Sequence, residues 1–140
     1  MGLFQNVLVP IDGSKPSLKA LNSAIEIGQM SGAEITILHV IPSVEESAKS
    51  RVTAFEKQLE KQGQDILNDA ATIAKKQKVK FKTSLVKDSP GHAIVRLAKK
   101  GKFDHIVMST TGKGSAQDDM LGSVSNYVVH KSEIPVYLIR

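Results

Sequence analysis

The sequence predicts an α/β fold built on one parallel sheet. Five short apolar segments alternate along the chain with four segments that have the periodicity of amphipathic helices. Alternation of this kind is typical of a parallel sheet covered by helices on both faces. The 140 residues fit a single domain, and no internal repeat or linker divides them. We therefore predict one doubly wound domain over residues 1–140.

The predicted strands are short and rich in aliphatic residues, as strands buried on both faces usually are. Pro10 near the end of the first strand is acceptable, because a strand terminus can lack one hydrogen-bond donor. The third strand carries alternating lysines, which suit the edge of a sheet. In chain order the predicted strands are Asn6–Ile11, Glu34–Val40, Val79–Val86, His105–Ser109 and Val136–Ile139.

Capping and breaking residues bound the predicted helices. Ser14 can cap the first helix and Gly32 can end it, while Ser89-Pro90 begins the third helix and Gly101 ends it. The second and fourth helices are predicted over Arg51–Lys78 and Ser123–Lys131. The predicted inner faces are Leu18, Leu21, Ile25 and Gly28 in the first helix and Val52, Phe55, Leu59, Ile66, Leu67 and Ala74 in the second.

Composition excludes several classes of function. The chain has no cysteine, so it has neither a disulfide framework nor a thiolate nucleophile. Its apolar runs are as short as strands, and its N-terminus does not resemble a signal peptide, so we expect a cytoplasmic protein without a membrane partner. The net charge is +5, but the lysines are dispersed along the chain without interleaved aromatic residues. We therefore expect no nucleic-acid partner.

Two loops of the predicted fold could form a nucleotide site. Ligands of open α/β sheets bind beyond the carboxyl ends of the strands, where the strand order reverses. If the fourth strand neighbours the first, Pro10–Ser14 faces Ser109–Gly114 across one crevice. Asp12 could accept hydrogen bonds from ribose hydroxyls, while backbone N–H groups of the second loop and of the helix beginning at Ser123 could bind phosphate. The chain contains no P-loop motif.

The late loop carries the most specific motif of the chain. Its spacing is Ser109-x2-Gly112-x9-Gly122-Ser123, and it follows the segments VLVPIDGS (Val7–Ser14) and ITILHV (Ile35–Val40). The chain thereby resembles the nucleotide-binding branch of the universal stress protein family. In that branch the late loop reads Gly-x2-Gly-x9-Gly-Ser/Thr, so this sequence departs from it at Ser109.

The resemblance implies a strand order of 3-2-1-4-5 and a site for ATP, with or without Mg²⁺. It places Asp12 near the adenosine, the backbone of Val40 at the adenine edge, and a phosphate cradle at the late loop. It also implies a homodimer formed through the last strand, Val136–Ile139, whose apolar edge favours pairing. The nucleotide-binding residues so predicted are Pro10, Asp12, Val40, Ser109, Gly112, Gly122, Ser123 and Val124.

The sequence leaves some roles open. If the family has glycine at this position because a positive φ is needed, serine is unfavourable at position 109. If the glycine only allows the backbone to approach phosphate closely, Ser109 can contribute its hydroxyl to the phosphate site instead. Asp12 could also be a turn residue. Asp118 and Asp119 could hold Mg²⁺ through a nucleotide or simply face solvent, and the four histidines are interpreted as structural.

The predicted function is an ATP-binding universal stress protein that acts as a stress-response sensor or regulator. The alternatives are a nucleotide-free dimeric interaction module of the same fold and a slow ATPase. The sequence offers neither a clear general base nor an arginine finger, which phosphoryl transfer usually needs. We therefore predict no catalytic residues and no protein-held metal.

Overall fold

The computed structural model describes residues 3–43, 49–112 and 121–140, with backbone alone over 49–53. It contains five strands and four helices in strict alternation. The strands are β1 Asn6–Pro10, β2 Glu34–Ile41, β3 Phe81–Lys87, β4 His105–Ser109 and β5 Val136–Ile139. The helices are α1 Lys15–Ser31, α2 Lys49–Lys76, α3 Pro90–Lys100 and α4 Ser123–Lys131.

All five strands form one parallel sheet in the order β3-β2-β1-β4-β5. The predicted strand order is therefore confirmed. β1 pairs with β2 on one side, with Val9 opposite Ile37, and with β4 on the other, with Val7 opposite His105. β1 and β4 are parallel neighbours, so their carboxyl ends lie side by side, and the connections that leave these two ends run in opposite directions.

A separate hydrophobic core lies on each face of the sheet. On one face, the strands pack against α1 and α2 through Leu21, Ile25, Leu67 and other apolar residues. On the other face, α3 and α4 cover the strands with Ile94, Val128 and their neighbours. Because strand side chains alternate between the two faces, each central strand needs apolar residues at every position.

Two predicted core positions are wrong. Leu18 is 43% exposed and Phe55 is 53% exposed. In the first turns of α1 the inward position belongs to the buried Ser17, one residue before Leu18. α2 has 28 residues and β3 has seven, which correspond to roughly 42 Å of helix and 23 Å of strand. The first turns of α2 therefore extend past the sheet, and Phe55 has no strand beneath it.

α2 runs unbroken through Gly63, where the helix approaches the sheet closely. A Cβ atom at position 63 would lie 2.8 Å from Cδ2 of His39 and 3.1 Å from Cδ1 of Leu85. Glycine therefore suits this close approach, because a larger residue would have to displace the side chains of His39 and Leu85. Among the described residues, no helix is long and apolar enough to cross a membrane.

Asp104 connects β1 to β4 at the amino ends of the strands. One of its carboxylate oxygens, Oδ2, accepts hydrogen bonds from the backbone N–H groups of Gln5 (2.9 Å) and Asn6 (2.8 Å). The other, Oδ1, lies 2.7 Å from Nδ1 of the buried His105, whose ring stacks on Phe4. Partial burial raises the pKa of Asp104, but the hydrogen bonds from His105, Asn6 and Gln5 outweigh it, so this pKa is lowered.

We predict that Asp104→Ala destabilises the protein in a pH-dependent way. Because the pKa of Asp104 is lower in the folded state, its stabilisation is complete above the ordinary value of 3.8 and is lost as the pH falls through the folded value. At neutral pH the variant should lose about 2 kcal/mol of unfolding free energy, since it leaves two N–H groups and an imidazole without their partner. Urea unfolding between pH 7 and pH 3 measures this.

The matched control is Asp65→Ala, at an exposed position of α2. It should change the unfolding free energy by less than about 0.5 kcal/mol at any pH. A constant difference between Asp104→Ala and the original protein across the pH range would show that Asp104 contributes packing and not its charge.

Candidate functional site

A cavity of about 410 Å³ opens where the carboxyl ends of β1 and β4 meet. All of the residues predicted to bind nucleotide line it, and they come from four separate parts of the chain. They are Pro10, Asp12, Val40, Ser109, Gly112, Gly122, Ser123 and Val124. The structure therefore brings the predicted residues together, while their role as nucleotide ligands stays a prediction.

Asp12 has a structural role in the turn that joins β1 to α1. Its Oδ1 accepts a hydrogen bond from the N–H of Ser14 (2.9 Å), and its own N–H donates to Oγ of Ser17 (3.3 Å). Oγ of Ser14 accepts from the N–H of Ser17 (3.3 Å), so Ser14 caps α1 as predicted. These bonds fix the carboxylate at the mouth of the cavity.

Asp12 also meets the late loop across the crevice. A Cβ atom at position 112 would collide with Oδ2 of Asp12. Gly112 is not among the glycines with positive φ. Glycine is therefore needed at position 112 for close approach, because any side chain there would displace the carboxylate.

The backbone of Val40 faces the cavity because β2 is longer than β1. The carbonyl of Leu38 accepts from the N–H of Ile11 (2.8 Å) on the β1 side, whereas the carbonyl of Ile41 accepts from the N–H of Asp88 (3.0 Å) on the β3 side. Successive residues of a strand direct their backbone groups to opposite sides. The N–H and C=O of Val40 thus point to the β1 side, beyond the end of β1, and offer one donor and one acceptor to the cavity.

The carbonyl of Thr110 holds together the two ends of the late loop. It accepts hydrogen bonds from the N–H of Gly122 (2.8 Å) and from Oγ of Ser125 (2.7 Å). The N–H of Thr110 donates to the carbonyl of Ile139 in β5 (3.0 Å). These bonds bring positions 112 and 122 of the motif to one side of the cavity. Lys113, Asp118 and Asp119 lie outside the described residues.

α4 begins without a side-chain cap. Its N-cap residue is Gly122, and its first intrahelical bond runs from the N–H of Asn126 to the carbonyl of Gly122 (2.9 Å). The N–H groups of Ser123, Val124 and Ser125 precede this bond and have no partner within the helix. The positive end of the helix dipole and these N–H groups suit an anion. α1 differs, because Ser14 caps it.

Ser109 does not adopt the conformation that would require glycine. Among the described residues, positive φ values occur at Gly13, Gly32, Lys78 and Lys102. Ser109 is only 7% exposed, and its hydroxyl donates to the carbonyl of Thr111 (2.5 Å). The serine is therefore compatible with the backbone of the motif, but its hydroxyl is already engaged inside the loop.

The remaining walls of the cavity are mostly apolar and were not predicted as site residues. Leu38, Ile94 and Met108 come from the cores, and α2 adds Leu59, Gln62 and Ile66. The sequence predicts Leu59 and Ile66 only as part of the inner face of α2, because nothing in their spacing shows that the helix extends over the crevice. His39 also lines the cavity, and its Nδ1 lies 2.9 Å from the carbonyl of Ile11, so this nitrogen carries the proton.

An exposed ion-pair cluster links α2 to the end of β3. Nζ of Lys87, at the end of β3, lies 2.9 Å from Oε1 of Glu60 and 3.7 Å from Oε2 of Glu56. The hydrogen bond with Glu60 raises the pKa of Lys87. Within residues 3–43, 49–112 and 121–140, no cluster of histidines and carboxylates could hold a metal ion.

The strand order and the position of the cavity define a doubly wound α/β protein with its site at the topological switch point. Comparison with known proteins gives the family. Residues 3–140 match the model of the universal stress protein family. The chain is 33% identical to universal stress protein MJ0531 of Methanocaldococcus jannaschii, over 99% of this chain and 83% of that protein. The chain belongs to the universal stress protein family.

Solved structures agree with this assignment. The universal stress protein UspA from Lactobacillus plantarum superimposes with a TM-score of 0.92 at 25% identity, over the full length of both chains. A universal stress protein solved in complex with cAMP superimposes with a TM-score of 0.78 at 26% identity, over 99% of each chain. The fold is thus that of the family throughout.

We predict that Ser125→Ala weakens the connection between the two ends of the late loop. Ser125 is buried, and its hydroxyl is one of the two groups that donate to the Thr110 carbonyl. Loss of one hydrogen bond of this kind should lower the unfolding free energy by about 1 kcal/mol, as measured by urea unfolding. The control is Ser123→Ala, at an exposed position of the same helix. Equal losses in the two variants would refute the role given to Ser125.

Proposed function

We propose that this chain is an ATP-binding universal stress protein that acts in the cytoplasm as a stress-response sensor or regulator. One observation carries the proposal. The backbone of Val40 beyond the end of β1, the carboxylate of Asp12 and the uncapped start of α4 surround a single cavity of about 410 Å³. Cavities of ~300–1,000 Å³ are typical of small-molecule and cofactor sites.

The three groups are complementary to the three parts of an adenine nucleotide. The N–H and C=O of Val40 match the ring acceptor and the exocyclic amino donor on the edge of adenine. The carboxylate of Asp12 accepts from ribose hydroxyls, and the N–H groups of Ser123 and Val124 donate to phosphate oxygens. Leu38, Ile94 and Met108 supply apolar contacts for the base.

The family comparison supports the class of ligand. The relative solved with cAMP shows that this fold accommodates an adenine nucleotide in at least one member of the family. ATP and an accompanying Mg²⁺ are the finer part of our proposal. Mg²⁺ would be held mainly by phosphate oxygens, since it binds few protein ligands and keeps several waters.

We propose binding and not turnover as the main activity. The described residues that line the cavity include no arginine or lysine to stabilise a phosphoryl transition state. Their one carboxylate, on Asp12, already accepts from the N–H of Ser14.

The proposal includes a homodimer formed through β5. β5 is an edge of the sheet, and Tyr137 on it is 50% exposed. An edge strand with a free row of backbone groups favours pairing with another strand.

We predict that Asp12→Ala lowers ATP affinity ten- to one-hundredfold. The variant loses charge-assisted hydrogen bonds to the ribose, which are worth about 1.5–3 kcal/mol. Isothermal titration calorimetry measures the change, with Asp65→Ala as the control. The proposal fails if the original protein gives no heat with ATP and carries no nucleotide after purification.

A double-mutant cycle tests the contact between the two loops. Gly112→Ala should weaken ATP binding about tenfold, because the added Cβ displaces the carboxylate of Asp12. In the Asp12→Ala background the same change should have an effect of less than about threefold, since the clash is gone. Equal effects in both backgrounds would show that Gly112 acts independently of Asp12.

A nucleotide-free dimeric module is the second candidate, because Ser109 replaces the first glycine of the motif and its hydroxyl does not compensate for that change. This hydroxyl donates to the Thr111 carbonyl and so is not directed to a ligand. Ser109→Gly separates the two candidates. If the ATP affinities of the original protein and the variant agree within about threefold, the phosphate site binds ATP with serine at position 109. If only the variant binds ATP, the module interpretation is correct.

A further inference from the structure

Eight lysines gather at the end of the sheet opposite the cavity. They lie in two segments, 75–82 and 99–103, which contain no acidic residue. All eight are exposed. We call them the lysine surface, and they are Lys75, Lys76, Lys78, Lys80, Lys82, Lys99, Lys100 and Lys102.

Backbone hydrogen bonds show that both segments lie at the same end of the sheet. The carbonyl of Lys80 accepts from the N–H of Ile35 at the start of β2 (3.0 Å). The N–H of Asp104, two residues after Lys102, donates to the carbonyl of Asn6 at the start of β1 (2.9 Å). The starts of β3 and β4 are three strand spacings apart, or roughly 15 Å. The lysines dispersed in the sequence thus form one surface in the fold.

The charge of the molecule is strongly segregated. The lysine surface holds eight of the 19 lysines and arginines, and three carboxylates, Glu34, Asp104 and Glu133, lie at the same end, which leaves 11 basic against 11 acidic residues elsewhere in the chain. Two of the eight form exposed ion pairs, Lys82 with Glu34 (3.4 Å) and Lys99 with Glu133 (3.6 Å). Exposed pairs of this kind are weak. The net positive charge of the protein therefore resides at this end.

Helix dipoles explain only part of this surface. Lys75 and Lys76 end α2, and Lys99 and Lys100 end α3, where cations interact favourably with the helix carbonyls. The other four lysines lie outside the helices. Among the described residues other than glycine, Lys78 (φ 56°) and Lys102 (φ 57°) are the two with positive φ. Glycine or asparagine adopts this conformation more easily, so lysine is not there for the turn.

Two exposed apolar side chains lie beside the lysines. Leu3 is 77% exposed and comes just before β1. Met30, in the last turn of α1, is 89% exposed. The preceding residue, Gln29, donates from Nε2 to the carbonyl of Gln77 (2.8 Å), so the end of α1 adjoins the lysine surface. Apolar side chains among lysines are the composition of a surface that contacts lipid.

We infer that the lysine surface docks onto an anionic membrane surface, contrary to the sequence-based expectation of no membrane partner. The lysines attract anionic headgroups and Leu3 and Met30 enter the headgroup region, while the cavity at the other end of the strands faces away from the bilayer. Lipid fits better than nucleic acid because the surface contains no arginine, the residue that pairs bidentately with phosphates and bases.

The test is co-sedimentation of the full chain with vesicles. Phosphatidylcholine vesicles should not bind, whereas vesicles containing phosphatidylglycerol should bind and release the protein as salt rises. Lys78→Asn, Lys80→Gln and Lys102→Asn together should lower the partition coefficient on the order of a hundredfold, or about fivefold for each lysine. Asparagine is used at the two positions of positive φ so that the turns are kept.

The matched control is Lys19→Gln, Lys57→Gln and Lys61→Gln, which removes the same charge from exposed positions elsewhere. It should change partitioning less than about threefold. Leu3→Ser with Met30→Ser should lower partitioning about tenfold without changing its salt dependence. Unfolding midpoints check that each variant folds, and the three single lysine variants replace the triple variant if it does not.

Three results would overturn the inference. The first is equal binding to vesicles with and without phosphatidylglycerol. The second is an equal loss in the lysine-surface and control variants. The third is absence of vesicle binding together with binding to a single-stranded oligonucleotide or to polyglutamate, which would assign the surface to a different polyanion. ATP binding is measured on the same variants, and it should be unchanged because the lysine surface lies outside the cavity.

Discussion

The pairing of β1 with β4 is the constraint on which the rest of the structure depends. It places two strands that are far apart in sequence side by side at the centre of the sheet, with Val7 opposite His105. Because both strands are parallel, the turn after β1 and the loop after β4 begin at the same edge. The cavity exists because the connections leave this edge in opposite directions, toward α1 on one face and α4 on the other.

Asp104 stabilises this pairing from the opposite end. Its carboxylate accepts hydrogen bonds from the N–H groups of Gln5 and Asn6 at the start of β1, and Asp104 itself immediately precedes β4. At the carboxyl end, the side chain of Asp12 in the turn after β1 lies close to Gly112 in the loop after β4. A carboxylate therefore lies at each end of this pair of strands, and the carboxylate of Asp12 lines the cavity.

Local signals in the sequence predicted most of the fold. The apolar runs, Ser14, Ser89-Pro90, Gly32 and Gly101 were sufficient to place all nine elements, with boundaries that differ by no more than two residues from those observed. The order of the strands followed from the family resemblance, which the family model confirms. Periodicity failed where a helix extends past the sheet, because it shows which face of a helix is apolar and not whether a strand lies beneath it. Phe55 is exposed for this reason.

Some residues of the candidate site could also be predicted from the sequence, and others could not. The motif shared with the universal stress protein family predicted Gly112, Gly122 and Ser123 as site residues, since a motif within one loop is visible in sequence. Gln62 in α2 was not predicted, because it reaches the cavity through the placement of a 28-residue helix. The doubt about Ser109 concerned its φ, and only the structure could show that its backbone is not left-handed.

The parallel topology also explains why the two ends of the molecule differ in charge. Helices that connect parallel strands all run antiparallel to the sheet, so their N-termini gather at the carboxyl ends of the strands and their C-termini at the other end. The first end is receptive to an anion through the N–H groups of an uncapped helix such as α4. The second end presents helix carbonyls, which favour cations such as Lys75, Lys76, Lys99 and Lys100. The four lysines outside the helices extend that positive end well beyond what the dipoles require, and so give the molecule one end for a small anion and another for an anionic surface.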